Sequence, residues 1–139
     1  MKYYHYVFKT YKGFYCLVDQ RTTGSMERMF NDITKEKNFM IDSMSILGDH
    51  VHMLIKQADA DAPSYIMKVI KGISAREYFK NNPTNRFDYR KLWGRSLYSE
   101  EIDHKDVDRI REYIKGQKIM GEDKRFNLRN REVHSQVPS

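Results

Sequence analysis

Polar and apolar positions alternate from Tyr4 to Thr10, with Tyr4, Tyr6 and Phe8 on one side and His5, Val7 and Lys9 on the other. That period of two predicts a strand. His5 reads as an exposed strand residue rather than a ligand. Lys12-Gly13 reads as a turn, and Phe14 to Val18 as a short return strand. Met26, Met29, Phe30 and Ile33 then recur at helical spacing behind Thr22-Thr23-Gly24-Ser25, with Ser25 as the capping residue. The plain role of this Met/Phe stripe is a core face. Asn38 is its stop. Phe39 to Leu47 predicts a second strand, and Gly48-Asp49 a two-residue hairpin link into a third.

That third strand, His50-Val51-His52-Met53-Leu54-Ile55-Lys56, is the centre of the pattern. Val51, Met53 and Ile55 share one face. His50 and His52 share the other, about 6–7 Å apart along the backbone at roughly 3.3 Å per residue. Two imidazoles so placed can clamp one metal ion if a third ligand arrives from elsewhere. Asp61-Ala62-Pro63 opens a second helix, with Ile66, Val69, Ile70 and Ile73 as its buried stripe. Lys68 and Lys71 fall opposite, where a solvated face and a phosphate contact are both open readings. Asn81-Asn82-Pro83 ends the helix, and residues 84–91 form a polar loop with Arg86, Arg90 and Lys91. Leu92 to Ser99 predicts a fourth strand. His104-Lys105-Asp106 leads into a third helix reaching about Lys118, closed by Gly121.

Strand, helix, strand, strand, helix, strand is the split βαβ order, so the fold class is α+β, ferredoxin-like or RRM-like, with an antiparallel sheet. Two helices would cover one face. The histidines would look out from the other, where the extra helix is free to dock. Val107, Ile110 and Ile114 form that helix's apolar stripe, with Tyr113 and Gln117 at its edge. Positions four apart share a helical face, so phenol and amide would meet the histidines together. A Gln carbonyl beside two neutral imidazoles leaves open positions that suit Mg²⁺ or Mn²⁺. Such an ion polarises a phosphoryl oxygen. A tyrosine in line with that phosphate can attack it and retain the bond energy in a phosphotyrosine, which suits strand transfer as readily as hydrolysis. A His-x-His strand alone is most often a surface feature, and a Tyr-x-x-x-Gln pair alone is more often packing. Their conjunction carries the reading.

Composition narrows the setting. The chain has 139 residues, net charge +6 from 25 Lys+Arg against 19 Asp+Glu, 10 Tyr and one cysteine, Cys16. The length suggests one domain, read as residues 1–120, followed by a basic, partly disordered tail at 121–139 carrying Lys124, Arg125, Arg129 and Arg131. One cysteine excludes an intramolecular disulfide. No apolar run reaches the roughly 18 residues of a membrane span, and the start has no apolar signal region, so a cytoplasmic protein without a membrane partner is expected. Basic charge with many aromatic rings suits single-stranded nucleic acid. Lys68, Lys71, Arg76 and Arg95 are the candidate DNA contacts. His104 and His134 read as surface residues, and Trp93 as core.

His50-Val51-His52 resembles the HUH (His-hydrophobic-His) motif, and Tyr113-Ile114-Lys115-Gly116-Gln117 the Tyr-Ile-x-x-Gln motif of the single-tyrosine HUH transposases, the TnpA proteins of small bacterial and archaeal insertion sequences. Gly48-Asp49 resembles the Pro-Asp before the first histidine, Lys71-Gly72-Ile73-Ser74-Ala75-Arg76 the family's Lys-Gly-x-Ser-Ala-Arg, and Leu92-Trp93-Gly94 its Leu-Trp stretch. The similarity spans roughly residues 4–118. It implies that Tyr113 is the nucleophile forming a 5′-phosphotyrosine and that His50, His52 and Gln117 hold one divalent ion. It also implies a single-stranded DNA substrate with hairpin ends, and a homodimer in which the tyrosine helix of one subunit can complete the other's site. Tyr11-Lys12-Gly13-Phe14-Tyr15 departs from the family's Tyr-Arg-Arg run, and Gly48 from its proline. Gly116 costs the last helix up to ~1 kcal/mol relative to Ala and marks a point of fraying or pivoting. A related HUH nickase and a non-catalytic single-strand binding module are the alternatives.

Overall fold

The computed structural model describes residues 1–18, 20–82 and 91–120. Strands β1 (Lys2–Thr10), β2 (Phe39–Leu47), β3 (His50–Gln57) and β4 (Trp93–Ile102) form one sheet in the order β2-β3-β1-β4. Every pairing is antiparallel. This is the α+β, ferredoxin-like sheet that the element order predicts. Helices α1 (Gln20–Glu36) and α2 (Pro63–Asn81) lie on one face and α3 (Val107–Met120) on the other.

Alternation along each strand sorts the side chains into two cores. Tyr6, Phe8, Ile46, Val51, Met53 and Ile55 pack with Met26, Phe30 and Ile33 of α1 and Ile66, Met67 and Ile70 of α2. The opposite face is smaller. There Leu54 and Ile102 of the sheet meet Val107, Ile110 and Ile114 of α3, with Tyr3 and Tyr113 at the margin. Trp93 belongs to the large core, where its Nε1–H donates to Ser74 Oγ at 2.9 Å.

The structure departs from the sequence reading at several points. Residues 14–18 form no strand. β1 is an interior strand with both edges already paired, so a return strand beside it has no ladder to join. The backbone turns instead, through a 3₁₀ segment at Tyr11–Gly13, and Leu17 N–H donates to Gly48 O at 3.0 Å. Helix α1 starts at Gln20, which leaves Ser25 inside it rather than capping it. Thr23 Oγ1 returns a bond to Gln20 O at 3.3 Å, the back-bonding that lets such residues sit within a helix. β4 runs past Ser99 because Glu100, Glu101 and Ile102 keep pairing with His5, Tyr4 and Tyr3. Residues 83–90, with Arg86 and Arg90, and the tail at 121–139, with His134, lie outside the described residues.

A bulge separates Ile41 from Ser43 in β2 and turns Asp42 out of the alternation. Gly48 makes the hairpin compact. A Cβ there would lie 2.3 Å from the end of the exposed Tyr15 ring, so a larger residue at this position needs that ring to swing aside.

Candidate active site

His50 and His52 enter the α3 face from consecutive inward positions of β3. Their ring centroids lie 5.1 Å apart. His50 is 4% exposed and His52 fully buried. Asp49 Oδ1 accepts from His50 Nδ1–H at 2.8 Å. A carboxylate can only accept, so Nδ1 carries a proton, and in the neutral ring the lone pair falls on the buried Nε2. His52 Nδ1 lies 3.2 Å from Nε2 of His5, and the two rings stack at 5.5 Å. His52 Nε2 is buried with no hydrogen-bond partner among the described residues. Burial pushes the pKa of His52 well below the usual histidine value, helped by neighbouring His5 and His50, so this imidazole is neutral.

Helix α3 brings the other two groups. Its stripe of Val107, Ile110 and Ile114 closes over Leu54 and Ile102. Ser45 Oγ donates to Ile114 O. Arg111 pairs with Asp42 across the bulge, and that hydrogen bond holds the Asp42 carboxyl below the usual carboxylate range. The Tyr113 ring sits edge-on to His5 and His52, with centroids 6.1 Å from each. One turn later, Gln117 is fully buried. Its Nε2 donates to Tyr113 O at 3.3 Å, while Oε1 has no hydrogen-bond partner among the described residues. All of this happens within one chain, α3 docking on its own sheet.

These residues fit a metal ion. An unpartnered polar atom in a buried site costs about 1–3 kcal/mol. Here a neutral imidazole nitrogen of β3 and an amide oxygen of α3 both bear that cost, on the sheet face that also carries a second imidazole hydrogen-bonded to a carboxylate. Two nitrogens and an oxygen form a donor set for a divalent first-row or alkaline-earth cation.

The sequence reading missed His5. It is 4% exposed and hydrogen-bonded to His52, not an exposed strand residue. The alternation groups His5 with Val7 and Lys9, but only the pairing of β1 with β3 turns that face toward the histidines. Asp49 was read only as part of a turn.

Of the candidate DNA contacts, Lys68 and Arg76 are exposed on α2, across the sheet from the histidines, and Arg95 is exposed on β4. Lys71 does not project outward as the helical spacing suggests. Its Nζ is partly buried and donates to Gly94 O at 2.9 Å and Ser96 O at 3.2 Å, so it binds α2 to β4 instead of projecting outward. Desolvation lowers its pKa. Among the described residues no helix is long and apolar enough to cross a membrane.

Comparison with known proteins gives the chain's relatives. The chain is 26% identical over 119 residues to the ISDra2 transposase TnpA of Deinococcus radiodurans, covering 82% of each. A crystal structure of a D. radiodurans R1 protein described as a transposase superposes with a TM-score of 0.68 at 23% identity, over 84% of this chain and 92% of that one. A REP-associated tyrosine transposase bound to a REP hairpin superposes with a TM-score of 0.61 at 14% identity, over 81% of this chain and 64% of that one. At such identities the two structures speak for the fold alone. Residues 1–117 match the family model of IS200-like transposases, and the chain belongs to that family.

Proposed function

We propose that this transposase cleaves and rejoins single-stranded DNA with Tyr113 as nucleophile and with His50, His52 and Gln117 holding one Mg²⁺ or Mn²⁺ ion. The observation that carries the reading is the convergence of two imidazoles from β3 with an amide oxygen and a phenol from α3 on one face of the sheet. When bound, the ion supplies charge stabilisation at the phosphoryl oxygens.

The chain's own residues do the rest. Tyr113 gives up its phenolic proton to water, which in turn supplies the one the leaving oxygen takes, and the phenolic oxygen attacks the scissile phosphorus. The P–O3′ bond breaks, and the 3′ oxygen leaves with the electron pair and takes a proton. The product is a 5′-phosphotyrosine and a 3′-hydroxyl. Rejoining is the reverse displacement by a 3′-hydroxyl, with the phenol as leaving group. An unaided phenol, with pKa about 10, is a poor nucleophile, so fixed placement beside the phosphate is what makes it competent. The contacts of α3 with Asp42, Ser45 and the Leu54 cluster, which hold the helix on the sheet, support this reading.

A single-stranded DNA with hairpin ends is the proposed substrate, supported by the hairpin bound to the REP-associated relative. A homodimer belongs to the same reading, and light scattering tests it. The central experiment incubates the protein with labelled hairpin-bearing single strands and Mg²⁺ or Mn²⁺, then denatures it. Wild-type protein is expected to form a covalent adduct that Tyr113→Phe does not form, while Tyr113→Phe still binds the hairpin. No adduct from wild-type protein with either metal would instead favour a binding module.

A further inference from the structure

We propose that His5 is a positioning residue for this reaction: its Nε2 accepts a hydrogen bond from His52 Nδ1–H and thereby keeps the Nε2 lone pair of His52 available to the ion. The proposal rests on the metal reading above and adds a residue to it.

A neutral imidazole carries one N–H, so which ring nitrogen can ligate is decided by what the other nitrogen does. For His50 the matter is closed, because Asp49 Oδ1 can only accept. His52 has no carboxylate on Nδ1. The group in that place is the imidazole of His5, 3.2 Å away, and one hydrogen bond between two imidazoles can run in either direction. If His5 donates, His52 carries its proton on Nε2 and cannot ligate through it. If His5 accepts, His52 is protonated on Nδ1, and its buried Nε2 is a bare lone pair. Only the second direction gives both β3 histidines the same ligating atom.

The aim of His5 is fixed by its surroundings. In the β1–β3 register His5 stands opposite Leu54 and Val7 opposite His52, so His5 reaches a diagonal neighbour. Its ring stacks on His52 with an interplanar angle of 21°. Tyr98 and Tyr113 contact it edge-on, at 5.6 and 6.1 Å between centroids. It is 4% exposed, so water does not compete freely for its Nε2. His5 touches neither substrate nor ion in this scheme and acts through His52.

Three measurements on the full chain test this. In ¹⁵N-histidine-labelled, metal-free wild-type protein, long-range ¹H–¹⁵N correlation spectra are expected to show His52 as the Nδ1–H tautomer. His52 found as Nε2–H overturns the proposal without any variant. Mn²⁺ titration followed by electron paramagnetic resonance is expected to show roughly 10–100-fold weaker binding for His5→Leu, the range typical when an orienting partner is lost. His5→Gln, whose amide oxygen can still accept, is expected to recover most of that affinity, which a purely structural role does not predict. A His5→Leu protein with wild-type melting behaviour and Mn²⁺ affinity within about twofold of wild type overturns the proposal. Wild-type protein that takes up no Mn²⁺ overturns the metal reading itself, and this proposal with it, so the two failures are told apart by which protein fails to respond.

Discussion

Arg111 holds Asp42 through two parallel hydrogen bonds, Nε to Oδ1 at 2.7 Å and Nη2 to Oδ2 at 2.8 Å. The bulge between Ile41 and Ser43 turns Asp42 outward to meet it. A third bond runs from Arg111 Nη1 to the exposed Asp108 within α3. The paired geometry is what distinguishes this contact from an ordinary surface ion pair. It fastens the helix that carries Tyr113 to edge strand β2.

Arg111→Met is therefore expected to loosen α3 without unfolding the sheet. Amide exchange in α3 should rise roughly several-fold while exchange in β1 and β3 stays unchanged, the size expected for one well-formed pair. The pH dependence follows from Asp42. Its carboxyl is held below its unfolded value, chiefly by the Arg111 hydrogen bond. The stabilisation is thus fully present above the unfolded carboxylate pKa of about 3.9 and is lost as pH falls through the lower folded value. Exchange in α3 should be insensitive to this pair from about pH 5 to 8 and accelerate below about pH 4. Asp42→Asn should remove that acid limb. Equal acceleration in β1 and β3 would show that Arg111 stabilises the domain as a whole.

Much of this arrangement was legible in the sequence because it rests on periodicity. The βαββαβ order, the face shared by His50 and His52, and the Tyr113–Gln117 spacing all follow from periods of 2 and 3.6. What escaped depends on which strand lies beside which. His5 looks like an exposed histidine until β1 is seated against β3. Lys71 looks solvated until β4 comes within reach of α2. Residues 14–18 look like a strand until both edges of β1 are found occupied. The start of α1 escaped because Thr22-Thr23-Gly24-Ser25 carries capping chemistry that the structure does not use as a cap.

Lys71 and Lys68 are expected to behave differently although three residues apart on one helix. Lys71→Met leaves two β4 carbonyls without their donor and is expected to cost about 1 kcal/mol or more in urea unfolding. Its DNA affinity should keep the wild-type salt dependence. Lys68→Ala, from an exposed position, should leave stability unchanged within about 0.5 kcal/mol. It should reduce the slope of log affinity against log salt by roughly 0.7, the value for one single-strand phosphate contact. A reduced slope for Lys71→Met would return that residue to the DNA contacts.

Gly116 lies between Tyr113 and Gln117 of the last helix, yet α3 continues through it to Met120. Its φ is not positive, and a Cβ there meets nothing within 4 Å. The glycine answers no packing demand among the described residues. Gly116→Ala should stabilise the protein by about 0.5–1 kcal/mol, by helix propensity and a narrower unfolded ensemble. If the helix pivots at this point during strand exchange, adduct formation with a single cleavable strand should be retained while joining to a second strand slows. Unchanged rates for both steps would assign Gly116 no part in the reaction.

Asp49 serves twice, and the two duties can be separated. Its backbone carbonyl accepts from Thr10 N–H at 3.0 Å and from Thr10 Oγ1 at 3.3 Å, which ties the β2–β3 hairpin to the end of β1. Its side chain accepts from His50 Nδ1–H. A substitution keeps the first duty and removes only the second. Asp49→Ala should therefore keep the wild-type fold by circular dichroism yet bind Mn²⁺ roughly 10–100-fold more weakly, because His50 is free to rotate or change tautomer. Asp49→Asn should fall between, since its amide oxygen still accepts but without the charge. Adduct formation at limiting Mn²⁺ should decline in the same order and recover as Mn²⁺ is raised. A defect in Asp49→Ala that high Mn²⁺ does not relieve would mean that the carboxylate acts on the DNA or on Tyr113, rather than through His50.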